Sequence, residues 1–292
     1  MSTFNRSEKQ KSNRILNQMD GEKRRRVRDL ASLTASSRDN PLATYLLTTP
    51  GAGTWSKPDF GTKVEVWACG GGPGGGSGRK GAAASIRGGG TQGTSSVPRL
   101  LGIFNASDFP SSISFDIGAG GAGGAAQTTN STNGNNGVAG GNTTVTINGY
   151  TYTLVGGAVG GGGTAVQRSS TVPAVFNVEF SSVFRYLNTT GPGGDALADN
   201  SLIAPTIIPS PPSDPLPGAN ATFDASIPGP FPVTSLLTPA RGGAASITGN
   251  AQKGGDGVLG IGGAGGGGAT DSVGDSGAGG RGGDGFVYII VY

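Results

Sequence analysis

The sequence contains no histidine and only one cysteine, Cys69, among its 292 residues. The first absence removes the commonest general base, the histidine-dependent nucleophile triads and every imidazole metal site. The second excludes an intramolecular disulfide framework and a thiolate metal cluster within the chain. Charge is scarce as well: charged residues make up 13% and the formal net charge is +3. A disordered chain kept open by its own charge does not look like this. Hydrophobic residues amount to 34%, too few for a conventional large core. No run approaches the roughly 18 apolar residues of a membrane span. The first twenty residues are polar and charged and contain no apolar signal region. The expectation is a protein made in the cytoplasm, without membrane insertion.

What the chain has instead is glycine: 58 residues, against an average share of about 7%. Short runs of Val, Ile, Thr and aromatic residues recur between the glycines, so the chain reads as folded and mainly β. The repeating unit is a β-strand followed by a glycine run. Residues 63–69 (Lys-Val-Glu-Val-Trp-Ala-Cys) enter a glycine run over 70–78. Residues 111–117 alternate, with Ile113, Phe115 and Ile117 on one face, and run into Gly118. Residues 143–147 and 150–155 flank Asn148-Gly149, the strongest short hairpin signal, because both turn residues tolerate positive φ. The second arm empties into Gly156. In reverse order, a glycine run from Gly277 leaves into the strand that begins at Phe286. The first and last of these strands are expected to close a single domain. Residues 44–48 read as a further short strand, and 49–53 as a turn.

Four explanations of the glycines compete. A phosphate-cradling loop fails because Gly81 stands where a hydroxyl residue should follow Lys80. The dinucleotide-like spacing after Ile117 leads into neither a good helix nor an acidic residue. A collagen triple helix needs glycine strictly at every third position over long runs, and these runs are short and out of register. Simple flexible linkers do not alternate so regularly with strands. The remaining option is extended helices of three residues per turn, the polyglycine II type, packed side by side. Without Cβ atoms their backbones approach closely and hydrogen-bond laterally, satisfying buried N–H and C=O groups without a side-chain core. Cys69, at the end of its strand, is expected to be a buried, inert thiol.

Residues 1–40 form a separate unit. They carry ten Lys/Arg and five Asp/Glu, a net of +5; the remaining residues carry eleven and thirteen, a net of −2, which restores the total of +3. Ile15, Leu16, Met19, Val27 and Leu30 recur at spacings compatible with one helix face, with Arg24, Arg25, Arg26 and Arg28 beside them. Gly21 divides this stretch and Asn40-Pro41 ends it. It reads as an attachment arm for another protein, or as a helix on the chain's own body, with no nucleic acid expected. Residues 41–292 form a glycine-rich β domain with insertions at 91–111, 165–190 and 199–239, the last rich in proline and therefore not central sheet.

The strand 64–69 entering Gly-Gly-Gly-Pro-Gly-Gly-Gly, the entry Thr48-Thr-Pro-Gly-Ala-Gly-Thr-Trp55 and the closing Gly-Gly-Asp-Gly-Phe-Val-Tyr-Ile-Ile-Val-Tyr292 resemble the glycine-rich domains of tailed-bacteriophage fibre and adhesin proteins. The resemblance covers roughly residues 44–292. It implies a rigid sandwich of glycine-rich helices whose loops touch a host surface receptor, either surface polysaccharide or an outer-membrane protein. It also implies a virion location on the tail, with the arm docking on other virion proteins and a homotrimer as one arrangement. Receptor-contact candidates are the aromatics of the insertions: Phe104, Phe109, Phe176, Phe180, Phe184, Tyr186, Phe223 and Phe231. Aromatic rings bury much area at small entropic cost. A purely structural collar, head-fibre or adaptor protein is the alternative.

No enzyme and no cofactor are expected. A polysaccharide hydrolase would need paired carboxylates. Glu65, Glu179, Asp108, Asp116, Asp195, Asp199, Asp214 and Asp224 show no pairing in sequence. Asp256, Asp271, Asp275 and Asp284 sit in glycine-rich segments where calcium would find oxygen ligands, but turn capping is the expected role.

Overall fold

The computed structural model describes residues 41–166, 176–180, 184–188, 193, 195–196, 202–203 and 240–292. The expected arm, with Ile15, Leu16, Met19, Arg24, Arg25, Arg26, Val27, Arg28 and Leu30, lies outside them. In chain order the strands are β1 (Ala43–Leu47), β2 (Gly51–Ser56), β3 (Lys63–Cys69), β4 (Lys80–Gly81), β5 (Arg99–Asn105), β6 (Ser112–Ile117) and β7 (Thr143–Ile147). They continue as β8 (Tyr150–Leu154), β9 (Phe176–Phe180), β10 (Phe184–Asn188), β11 (Asp195–Ala196), β12 (Leu202–Ile203), β13 (Ala269–Thr270) and β14 (Phe286–Val291). The described residues are mainly β and contain no helix.

One end of the body is a β-sandwich of two four-stranded antiparallel sheets, β1-β14-β3-β5 and β2-β6-β7-β8. The first and last glycine-flanked strands do lie side by side: β14 pairs with β3, Phe286 opposite Cys69. Alternation explains the core. Val64, Val66 and Ala68 of β3 and Val287, Ile289 and Val291 of β14 face Ile113, Ile117, Val145, Ile147 and Leu154 of the other sheet. Tyr45, Phe109 and Trp55 pack there edge to face, at centroid distances of 5.3 and 6.3 Å from the tryptophan. The Asn148-Gly149 hairpin forms as expected, with φ of 49° and 79° at the two turn residues and Ile147 opposite Tyr150.

Two strands depart from the expectation. Residues 51–56, whose first three were assigned to a turn, form β2, because pairing with β6 places Trp55 in the core and leaves its glycines on the ladder. The expected insertion at 91–111 is instead part of the frame: 91–96 belong to a glycine helix and 99–105 to β5, whose bulge beside Val66 and Trp67 hides the alternation in sequence.

Among the described residues, the other end is a lattice of nine extended glycine-rich segments, I (70–79), II (88–96), III (118–124), IV (134–141), V (156–164), VI (241–246), VII (251–257), VIII (261–268) and IX (276–285). Segment I is its axis, and the period of its hydrogen bonds is three. Gly71, Gly74 and Ser77 donate their N–H groups to Gly141, Val138 and Asn135 of IV, whereas Gly72, Gly75 and Gly78 donate to Gly283, Gly280 and Gly277 of IX. Gly76 and Arg79 donate to Thr91 and Gly88 of II. The carbonyls of 71, 74 and 77 accept from Gly157, Gly160 and Gly163 of V, and those of 72 and 75 from Gly121 and Gly124 of III. The carbonyls of Pro73, Gly76 and Arg79 accept from Gly263, Gly266 and Ala269, in and just after VIII. Three residues per turn send successive groups outward about 120° apart, so one segment bonds six neighbours. Pro73, which has no N–H, occupies a place in the row whose other members, Gly76 and Arg79, donate to segment II.

Such spacing leaves no room for a side chain. A Cβ on Gly76 would lie 2.0 Å from the Gly161 carbonyl oxygen, and one on Gly75 would lie 2.1 Å from that of Ala264. Both obstacles are backbone, which cannot rotate away. Buried hydroxyls of the lattice take the place of a backbone partner. Ser77 Oγ accepts from Asn135 N at 2.7 Å, Ser95 Oγ accepts from Gly262 N at 3.0 Å, and Ser96 Oγ donates to the Gly71 carbonyl at 2.7 Å.

Gly76→Ala is therefore expected to cost about 3 kcal/mol or more, whereas Gly249→Ala, with open space around its Cβ, should stay within about 0.5 kcal/mol of the parent; urea unfolding of the two variants checks this.

Cys69 is buried, and desolvation holds its thiol far above the ordinary 9.0. Burial also raises Tyr288 from 10.0, partly opposed by a hydrogen bond with Thr44. Both groups stay neutral in the fold while the unfolded chain ionises, so stability should be full below about pH 9 and fall as pH rises above it. Cys69→Ala should remove the first part of that fall and leave the part that starts near pH 10, as read by urea melts from pH 7 to 11; stability that rises with pH over this range would contradict the assignment.

Candidate functional site

Segments I, III and V leave β3, β6 and β8, and segments II, IV and IX return into β5, β7 and β14. Segment VIII runs parallel to I, and VII runs back beside VIII. The connections at the end away from the sandwich therefore collect on one surface: 80–87 between I and II, 125–133 between III and IV, 247–250 between VI and VII, and 269–275 between VIII and IX. Segment V also ends there, at the point where the chain passes into residues 167–239.

This distal surface is stitched together by small polar side chains. β4 pairs in parallel with β13, Lys80 opposite Ala269, and Lys80 also bridges to Thr132 of the 125–133 loop. The buried Lys80 side chain donates to the Thr128 carbonyl at 2.8 Å and to Asp275 at 3.1 Å. Asp271 receives both the backbone N–H and the hydroxyl of Ser131 at 2.8 Å each, and Asn130 and Ser272 exchange bonds at 2.9 and 3.1 Å. Asn250 accepts from the Asp275 N–H at 2.8 Å. Ser131 and Ser272 adopt positive φ, 52° and 59°, conformations that non-glycine residues take up only where their surroundings hold them. Arg87 is fully buried beneath this surface, its guanidinium donating to the Ala82 and Ala83 carbonyls at 2.9 and 2.6 Å. Burial lowers its pKa, with the charge of Asp271 opposing. Exposed on top are Ala82 to Ala84, Thr128 to Ser131, Ser272 and Val273.

The aspartates of the glycine-rich segments serve the frame. Asp256 and Asp284 accept backbone N–H groups from Arg281 at 2.6 Å and Gly120 at 2.8 Å, Asp271 that of Ser131, and Asp275 holds Lys80. Among the described residues no group of three or more His, Cys, Asp or Glu is placed to share a metal ion. Glu65 is buried under the outer face of its sheet and bonded to Trp67 and Tyr292.

The aromatic candidates separate. Phe109 is buried in the sandwich core and Phe104 packs against it, their rings 5.1 Å apart. Both belong to the end opposite the distal loops, and their burial removes Phe109 as a contact for any partner. Phe176 and Phe180 lie on β9 and Phe184 and Tyr186 on β10, an antiparallel pair with Phe180 opposite Phe184. Phe223 and Phe231, with Asp199, Asp214 and Asp224, lie outside the described residues. One member of the insertion is anchored: Gly193 is buried and donates its N–H to Gly90 of segment II at 2.9 Å. Its setting, Gly191-Pro-Gly-Gly194, repeats the Gly72-Pro-Gly-Gly75 of segment I, a signal that the sequence reading passed over.

A β-sandwich continued by laterally bonded glycine helices, with loops gathered at the far end, defines a rigid scaffold class. The glycine-rich domain family matches the chain over residues 48–292, and the chain belongs to that family. No curated protein matches it.

Asp271→Ala should lower the melting temperature by only a few degrees, since the two bonds it removes lie at the surface and contribute at most about 1 kcal/mol each. Hydrogen exchange of residues 127–133 should quicken, because Ser131 loses the acceptor that holds its positive φ.

Proposed function

We propose that the chain is a tailed-bacteriophage virion protein, a tail-fibre or fibre-tip component. Residues 1–40 attach it to other virion proteins, and the distal loops, with the 167–239 insertion that starts among them, meet a receptor on the host surface. The observation that carries this reading is the convergence of four loops and an insertion at one end of a lattice that cannot bend without breaking backbone bonds. A rigid rod with a composite end suits presentation of a surface, and the hydroxyl- and amide-rich loops suit a hydrogen-bonding partner such as a surface polysaccharide or an outer-membrane protein. Catalysis is not part of the proposal. The resemblance of the strand–glycine boundaries to fibre and adhesin domains supports the same assignment.

A purely structural virion role is the second reading, and one observation favours it: the distal loops at 80–87, 125–133, 247–250 and 269–275 contain no aromatic residue, so any aromatic anchor there must come from the insertion.

Cell binding by the purified full chain separates the two. The proposal expects saturable binding to susceptible bacteria, competition by their surface polysaccharide or outer-membrane protein, and at least tenfold weaker binding when Phe176, Phe180, Phe184 and Tyr186 are replaced by Ala in a protein of unchanged melting temperature. A folded chain that binds no cells yet is incorporated into virions supports the structural role instead.

A further inference from the structure

The sheet β1-β14-β3-β5 has a second face, turned away from the sandwich core. Its register sets Leu46, Tyr288, Trp67 and Leu100 in one row across the four strands, and Thr44, Ile290, Glu65 and Ile103 in the next. Trp67 and Ile290 are 8% and 1% exposed and cluster with Tyr288 and Tyr292. The Glu65 carboxylate sits among them, accepting from Trp67 Nε1 at 2.5 Å and from the Tyr292 hydroxyl at 3.1 Å. Around this centre the edge strands and the residue before β1 carry large apolar side chains that are far more open: Leu42 63%, Leu46 40%, Leu100 42% and Ile103 56%. Beside Leu46 the face continues into a groove of about 400 Å³, walled by Val258, Leu259, Arg281 and Asp284. Among the described residues, every member of the apolar cluster lies on β3 or β14 or directly follows β14. A face of this size and apolarity marks an interaction surface.

We propose that its occupant is residues 1–40 of the same chain, laid across the sheet with Ile15, Leu16, Met19, Val27 and Leu30 inward and Arg24, Arg25, Arg26 and Arg28 outward. Two observations select this occupant. The arm joins the body at Pro41, directly before β1, an edge strand of this sheet, and Leu42 alternates onto the outer face. The length fits: residues 5–35 as helix span about 45 Å, and Gly21 divides them into halves close to the ~23 Å of a seven-residue strand. The inference does not rest on the virion reading; it leaves the arginines facing outward, free for whatever the arm docks on.

The test uses the full chain with one added thiol at a time, Leu46→Cys or Ile103→Cys, and Lys253→Cys as an exposed reference. Cys69, buried with its thiol held protonated, does not compete for an alkylating reagent. Labelling at 46 and 103 is expected to be slow, and to quicken by about tenfold when Leu16→Asp, Met19→Asp and Leu30→Asp are combined, while the rate at 253 does not change. Circular dichroism establishes that the body of each variant stays folded. Labelling that is as fast at 46 and 103 as at 253, whatever the arm carries, overturns the proposal. Protection that appears only as protein concentration rises also overturns it, and assigns the face to a second copy. Neither result bears on cell binding, so failure here and failure of the receptor reading are distinguishable.

Discussion

Everything in this structure depends on one contact, the hydrogen bond between an N–H of one glycine helix and a C=O of another. In segment I that contact is made on six sides, and it exists only because no Cβ separates the backbones. A single such bond contributes a net of about 1 kcal/mol. Ordering one residue's backbone costs roughly 1–2 kcal/mol, and glycine loses more freedom than any other residue. A lattice built from these terms alone does not hold. The deficit is offset by the sandwich, where each fully buried Val, Leu or Ile contributes on the order of 1.5–3 kcal/mol. The two halves are thus mutually dependent: the strands supply the driving force, and the glycines convert it into a stiff extension.

The division also explains the topology. Six of the nine segments are direct continuations of sandwich strands, so the strand order decides which glycine helices become neighbours. Segments I and IX bond one another because β3 and β14 do. The pairing is long-range throughout: Glu65 and Tyr292, joined through a side-chain bond, are 227 residues apart in sequence. Loop closure on that scale precedes any reward from the contacts it enables, which favours a folding order in which the sandwich forms before the lattice zips along its length.

Where side chains carry information, the sequence was readable. The alternation of β6, the strand-to-glycine boundaries of β3 and β14 and the Asn148-Gly149 turn could be read directly, and these strands lie within a residue or two of the expected bounds. Where pairing overrides local composition, it was not. β2 begins Gly-Ala-Gly, a pattern that locally belongs to a turn, and is a strand because β6 lies next to it. β5 has a bulge and Gly102, which erase the period of two. The glycine segments show the limit in its clearest form. Their three-residue helix follows from the absence of Cβ, but a residue without a side chain cannot say which neighbour it will touch. For the same reason Phe104 and Phe109 read as loop aromatics: their burial comes from partners in the opposite sheet, and only the assembled sandwich provides those.

The lattice divides the chain into positions of opposite tolerance. Inside it, a single methyl group meets a carbonyl at about 2 Å in nearly every row, so glycine is required by geometry and its density in the sequence is a record of burial. At the distal ends of the same segments the backbone turns away, Gly249 has open space around it, and the loops are held by hydroxyl, amide and carboxylate bonds that several residue types could supply. A body whose interior is specified by backbone alone leaves its terminal loops free to change composition without disturbing the packing beneath them. That separation is the property a recognition scaffold requires, and here it follows directly from the missing Cβ.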